Sequence, residues 1–302
     1  MVRKCYSLLI SAFLLSVLVV APTTIFAAAP ATSFNVYMNG KQLEDVLMLQ
    51  GRTLVPLTAF DDPARLSYTY DANSKTVNIT NKVNKVSIQL SGGAQEAIMN
   101  GKKVKLDAQV TFKGDRTFVP LRFLSENLGG SVSYDKEGKK VVVRTPSEQE
   151  RFKTLMSGDL TEARKIAIKL PVIYGKDALQ PQGEGFSIQY TFPKGETLRY
   201  YQQYKGLVNY VEINADGLAE IKWQGDEPQS GIEHREKGNK PADLGEAVYF
   251  IDNVMSDYTY YGTIDKLGKS TELGQLDRSE ENNKGKVIVP IDEEKRIDAS
   301  KD

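Results

Sequence analysis

The sequence predicts an α+β fold in which two related small β-rich repeats are packed as one N-terminal unit, followed by a separate α+β domain with an antiparallel sheet. Three observations predict it. Met38-Asn39-Gly40-Lys41 returns as Met99-Asn100-Gly101-Lys102, and self-similarity at such a spacing marks repeated supersecondary units. Apolar residues around both blocks alternate, which is the period of half-buried strands. Helical spacing then occupies 147–170, and alternation resumes from Phe186.

Ahead of the repeats, Arg3 and Lys4, the apolar run Leu8 to Val20, Pro22 and Ala27-Ala28-Ala29 have the three-part layout of a secretory signal peptide, placed at 1–28. The run is shorter than the ~20 apolar residues of a spanning helix, so no membrane span is expected after cleavage. Cys5 precedes the run, whereas a lipid-bearing cysteine would follow it. It is also the single cysteine of the 302 residues, so the exported chain is expected to carry no disulfide and no thiol. Basic and acidic residues balance at 39 each. That balance offers no electrostatic case for nucleic acid as a partner.

The repeat domain is placed at 35–145. Asn39-Gly40 and Asn100-Gly101 supply the positive-φ residues of tight hairpin turns, flanked by Val36 and Met38 and by Val104 and Leu106. Arg52-Thr53-Leu54-Val55-Pro56-Leu57 returns as Arg116-Thr117-Phe118-Val119-Pro120-Leu121, a short buried strand ended by proline. In the second copy Leu121, Leu124 and Leu128 keep helical spacing and Gly129-Gly130 stops the helix. The first copy has Asp61-Asp62-Pro63 there, so its helix is expected to be short or irregular. Each copy closes with two extended segments, 66–70 and 76–80 in the first, 131–134 and 140–144 in the second.

These blocks resemble the bacterial stalk domain, also called the copper amine oxidase N-terminal-like domain. Asn100-Gly101-Lys102, the run from Arg116 to Phe123, Leu128-Gly129 and Tyr134-Asp135 carry the resemblance. It implies a small α+β module of exported bacterial proteins, and it implies no reaction. The family name does not imply copper here, since His234 is the only histidine and a copper oxidase site needs several imidazoles.

After Pro146, Ser147 and Glu150 have the spacing of a capping box, followed by Phe152, Leu155 and Met156. A helical linker is placed at 147–170, broken at Gly158, and a C-terminal α+β domain at 171–302. Phe186, Ile188 and Tyr190 are expected to share one strand face, and Ala219, Ile221 and Trp223 another. Asn214-Ala215-Asp216-Gly217 reads as a turn and 226–243 as a loop of poor order. A helix is expected near 244–255 and a last strand at 286–291, before a frayed charged tail.

No catalytic residue is nominated. Carboxylates are plentiful but no spacing singles out a pair, His234 sits in a charged stretch of loop composition, and nucleophile elbows, phosphate loops and calcium loops are missing from the sequence. No cofactor and no metal are expected. The enriched feature is aromatic: Tyr200, Tyr201 and Tyr204, then Tyr258 and Tyr260, together with Trp223, are the candidates for a ring-lined groove holding a glycan or peptide. The expectation is a secreted, non-catalytic binding protein, extracellular or wall-associated, with an extracellular protein or a cell-wall polymer as partner. The alternative is an inhibitor of extracellular serine proteases, with Lys113, Arg116 or Arg235 on an exposed inhibitory loop.

Overall fold

A computed structural model describes residues 34–71, 73–227 and 234–300. The expected signal peptide, Cys5 with it, lies outside the described residues. The protein is β-rich, with several antiparallel sheets and, among the described residues, three α-helices, an arrangement compatible with the α+β class. Phe34–Asp302 forms one compact unit.

The N-terminal part runs β1 (Asn35–Met38), β2 (Lys41–Leu43), β3 (Leu47–Leu49), β4 (Arg52–Pro56), a 3-10 turn at Leu57–Phe60, β5 (Leu66–Asp71), β6 (Thr76–Asn81), β7 (Ser87–Ser91), β8 (Glu96–Met99), β9 (Lys102–Lys105), β10 (Thr111–Lys113), β11 (Arg116–Pro120), α1 (Leu121–Asn127), β12 (Ser131–Asp135) and β13 (Lys140–Arg144). The two Asn-Gly pairs turn the β1–β2 and β8–β9 hairpins, with φ of 52° and 82° at Asn39 and Gly40 and of 50° and 79° at Asn100 and Gly101. Three sheets result, ordered β12-β13-β1-β2, β10-β11-β4-β3 and β5-β6-β7-β8-β9. β4 and β11 lie side by side and antiparallel, Val55 opposite Val119. Val36, Val55, Ile79, Leu90, Val119, Leu124 and Val143 meet in one apolar core, each side chain contributing about 1.5–3 kcal/mol by leaving water.

The connection contains α2 (Pro146–Ser157) and α3 (Leu160–Ala167). Ser147 and Glu150 do not form the expected capping box. Thr145 takes the N-cap position without a side-chain bond and Pro146 opens the helix. The Ser147 amide donates instead to Asp62 at 2.9 Å, and its hydroxyl to the same carboxylate at 2.8 Å, while Glu150 pairs with Arg65. Asp62 thus satisfies an orphan amide of α2 from across the fold.

Beyond the helices come β14 (Val172–Ile173), β15 (Ser187–Pro193), β16 (Arg199–Tyr204), β17 (Leu207–Ile213), β18 (Ala219–Asp226), β19 (Glu236–Gly238), β20 (Ala247–Asn253), β21 (Tyr258–Ile264) and β22 (Ser270–Asp277). They form a nine-stranded sheet ordered β14-β18-β17-β16-β15-β20-β21-β22, with β19 on β18. Three expectations are corrected here. The stretch expected as a helix at 244–255 contains β20, since the consecutive buried residues Ala247 to Phe250 sit in a strand paired on both sides, a pattern that periodicity alone does not separate from a buried helix. Glu236–Gly238, inside the expected loop, is a strand. Residues 286–291 join no sheet among the described residues, although Ile288 and Val289 are buried in the core.

Nor is the charged tail frayed. The Arg164 and Glu294 side chains are both buried and pair at 2.7 Å, and Arg164 also donates to the carbonyls of Glu196 and Pro193. Asp298 accepts the amides of Thr197 and Leu198, and Arg296 donates to the Leu155 and Gly158 carbonyls at the end of α2. Removing one partner of such a buried pair costs about 3–5 kcal/mol. The two halves also touch directly. Lys140 pairs with Asp216 at 2.6 Å, and the Arg144 guanidinium lies 3.6 Å from the centre of the Phe152 ring. The Asp216 partner raises the Lys140 ammonium above its ordinary pKa.

Candidate functional site

Strand alternation divides the predicted ring cluster between two faces of the nine-stranded sheet. Tyr201, Tyr210 and Trp223 follow one another across β16, β17 and β18 on the outer face, with ring centroids 5.2 Å apart for Tyr201–Tyr210 and 6.3 Å for Tyr201–Trp223. Tyr258 and Tyr260 share that face on β21. Trp223 does not join Ala219 and Ile221 as expected. Lys222 is an extra residue where the β17–β18 register shifts, and the bulge turns Trp223 to the other side. At 6 % exposure, under Lys240 and donating to Glu236, it is packing rather than a ligand platform. Tyr200, 1 % exposed and packed on Phe192, is likewise reassigned from the groove to the core. Burial drives its hydroxyl well above the ordinary tyrosine pKa.

Tyr204 is different. It lines a cavity of about 580 Å³ between the sheet and the segment Gly175–Pro181, with Tyr174, Ile188, Gln202, Leu207 and Asn209 in the walls. Tyr200, Gln202 and Tyr204 alternate on β16, so the face that begins as apolar core becomes polar toward the cavity. Gln202 stands opposite Asn209, and Asn209 opposite Gln224, so three amides form a row across neighbouring strands. The Gln224 amide donates to Asn209 Oδ1 at 2.8 Å, and its oxygen accepts the Leu179 amide at 2.8 Å. Gln224 thereby pins the covering segment, leaving Gln202 and Asn209 on the cavity. Burial raises the pKa of the neighbouring Tyr190 hydroxyl, against a lowering bond with Gln202. A wall of amides, phenols and alkyl groups, with the exposed Asp177 as its single charged lining residue, suits an uncharged polar ligand. The amides were missed in the sequence, where the alternation Tyr-x-Gln-x-Tyr was the available signal.

The candidate inhibitory residues sit differently. Lys113 and Arg116 face each other across the tight Gly114-Asp115 turn of the β10–β11 hairpin, and Arg116 is tied to Asp45. Arg235 holds Asp226 through two bonds of 2.6 and 2.7 Å and also reaches the Gln180 carbonyl. Lys113 and Arg116 thus flank a tight hairpin turn, and Arg235 follows residues that lie outside the described ones. A second and larger cleft, of about 1220 Å³, lies beside β5 and this hairpin in the N-terminal part, with Tyr68, Tyr70 and Phe112 in its walls.

Against known families, one match bears on these elements. Residues 37–143 match the copper amine oxidase N-terminal domain. The match spans β1 to β13 and ends before α2, so this domain is the stalk-like part of the chain; the larger cleft lies within it and the cavity lined by Tyr204 lies beyond it. No curated protein and no solved structure matches the chain. His234 is the only histidine, and its Nε2 has Glu236 at 3.7 Å. No group of three or more His, Cys, Asp or Glu side chains among the described residues has the geometry to hold a metal ion. The donor set does not fit a copper centre. No helix among the described residues is long and apolar enough to cross a membrane.

Proposed function

We propose that this is a non-catalytic binding protein that works outside the cell or at the envelope, carrying an uncharged polar ligand, a saccharide or a peptide, in the cavity beneath Gly175–Pro181. The observation that supports it most is the row Gln202–Asn209–Gln224 at that cavity. Asn209 is buried and Gln202 half-buried, and the Asn209 amide donates to Gln202 Oε1 at 3.4 Å; a hydroxyl- or amide-bearing ligand would take up the hydrogen-bonding capacity that the two amides still present to the space. Export rests on the three-part layout of 1–28. In this reading the two sequence copies act together as a scaffold beneath the C-terminal half.

Co-sedimentation with purified cell-wall sacculi and calorimetric titration with an N-acetylglucosamine tetramer and an alanine-rich pentapeptide test the proposal. Saturable binding weakened about tenfold by Tyr204→Ala, roughly 1.4 kcal/mol, is the expected result. No binding to any of the three would sink it. Stoichiometric loss of trypsin activity on mixing would replace it with the inhibitor reading.

A further inference from the structure

The N-terminal cleft is walled by strand edges. Tyr68, Thr69 and Tyr70 are consecutive on β5 and all line it. Tyr68 and Tyr70 line it from the face they share with Val77 of β6, and Thr69, whose side chain points to the other face, also borders it, so the space reaches from that face to the outer edge of β5. Among the described residues β5 pairs with β6 alone, and β10, which brings Phe112 to the other side, pairs with β11 alone. Two rows of backbone amides and carbonyls without a ladder partner therefore flank the same cleft.

Natural sheets guard such edges with lysine, proline or bulges. The opposite edge of the same sheet, β9, is guarded in this way, carrying Lys102, Lys103 and Lys105. β5 reads Leu-Ser-Tyr-Thr-Tyr-Asp, without lysine or proline, and its register with β6 has no bulge. Two rings stand open above it. Tyr70 is 59 % exposed and Phe112 42 %. The Phe112 ring lies over Gly92, where a Cβ would fall 1.6 Å from a ring carbon, so only glycine leaves the ring its place. The rim carries both signs, Lys75 and Arg116 with Asp61 and Asp115, which does not select a polyanion.

We infer that this cleft binds an extended polypeptide segment, which adds as a strand to β5 while Tyr70 and Phe112 hold its alternate side chains. A glycan would use the rings but leave the backbone row unmatched. The site is independent of the cavity beneath Gly175–Pro181.

The test uses the full exported chain and an acetylated peptide of about ten residues alternating valine with threonine and lysine, alongside the same peptide N-methylated at every second residue, which removes the amides of one edge. The plain peptide is expected to bind saturably and to slow amide exchange within 66–71. The methylated peptide is expected to bind at least about tenfold more weakly. Tyr70→Ser, at an exposed position, is expected to weaken binding by a similar factor, and Thr69→Lys, which imports the guard of β9, to do the same without touching a ring. Both should keep the wild-type melting temperature and any affinity of the Tyr204 cavity. Equal binding of the methylated peptide overturns the inference, and so does protection confined to residues outside 66–71. Preference for an N-acetylglucosamine tetramer at this cleft overturns it as well. A concentration-dependent dimer that Tyr70→Ser abolishes would assign the cleft to a second copy of the chain and overturn it too.

Discussion

The segment after Val-Pro-Leu takes two forms in the two sequence copies. In the second, Leu121–Asn127 is α1, closed at Leu128 and Gly129, the latter at φ of 84°. In the first, Leu57–Phe60 makes a single 3-10 turn and the chain leaves at Asp61 in extended conformation. Aligning Leu57 with Leu121 sets Asp62 against Glu126 and Thr58 against Arg122. Glu126 is exposed and pairs with Arg122 at 3.9 Å. Asp62 is buried and holds the start of α2. Arg122 lies 4.7 Å from the centre of the Tyr134 ring, which is 38 % exposed; Thr58 cannot reach over Tyr70, and that ring is 59 % exposed. Where the first copy departs from the second, the departure is used in a contact or in an opening.

The first way to break this comparison is in the core, where the two forms converge. Phe60 and Leu124 are both buried in the same cluster. Phe60→Ala should cost about 3–5 kcal/mol and Leu124→Ala about 2–5 kcal/mol, read from urea midpoints. A loss under ~1 kcal/mol at Phe60 would mean that the short turn does not carry its share of the core. The next effect separates the copies. Asp62→Ala removes the acceptor of a part-buried amide and hydroxyl and should cost about 1–3 kcal/mol, with Asp62→Asn in between. Glu126→Ala should stay within about 0.5 kcal/mol. Equal costs at the two positions would show that Asp62 does not anchor α2.

Much of this contrast was legible in the sequence, and the rest was hidden for identifiable reasons. Asn-Gly pairs and Val-Pro-Leu blocks act through local backbone preference, so the hairpins and the buried strands could be read residue by residue. Asp61-Asp62-Pro63 announced a lost helix, but not that Asp62 serves α2, because that bond joins residues far apart in the chain. Ser147 and Glu150 had the spacing of a capping box, and tertiary partners took both. At β20 every residue from Ala247 to Phe250 is buried, which erases the alternation that marks a strand. The bulge at Lys222 inverted the side of Trp223, and no local signal marks a bulge. Of the site residues, Tyr204 was reached through composition, while Gln202 and Asn209 depend on a cross-strand pairing that composition does not contain.

A smaller effect follows from Tyr68, which occupies the place of Val132 in the second copy. Burial, with Asp62 and Asp61 nearby, raises its pKa well above the ordinary 10.0, and its hydroxyl donates to the Phe60 carbonyl. The folded state therefore keeps the phenol neutral where the unfolded chain ionises. This contribution is fully present below pH 10 and is lost as pH rises above it. Tyr68→Phe should flatten the alkaline limb of a stability–pH curve without abolishing it, because Tyr200 is raised in the same direction. An unchanged limb would show that Tyr68 ionises in the folded protein as freely as in the unfolded one.

The smallest expected change in stability is the most informative about the cleft. Thr58→Arg gives the first copy the residue that covers Tyr134 in the second. A guanidinium over an exposed ring is worth about 0.5–1 kcal/mol, so the melting temperature should rise by no more than a few degrees. Thr58 itself lines the cleft, and an arginine there would cover Tyr70 and narrow the space beside β5. Ring exposure, followed by the rate of tyrosine nitration at position 70, should fall toward that of Tyr134, and affinity for an extended peptide should fall with it. Faster nitration of Tyr70 in Thr58→Arg, or undiminished peptide affinity with a covered ring, would show that the openness of the first copy has another cause than the missing arginine.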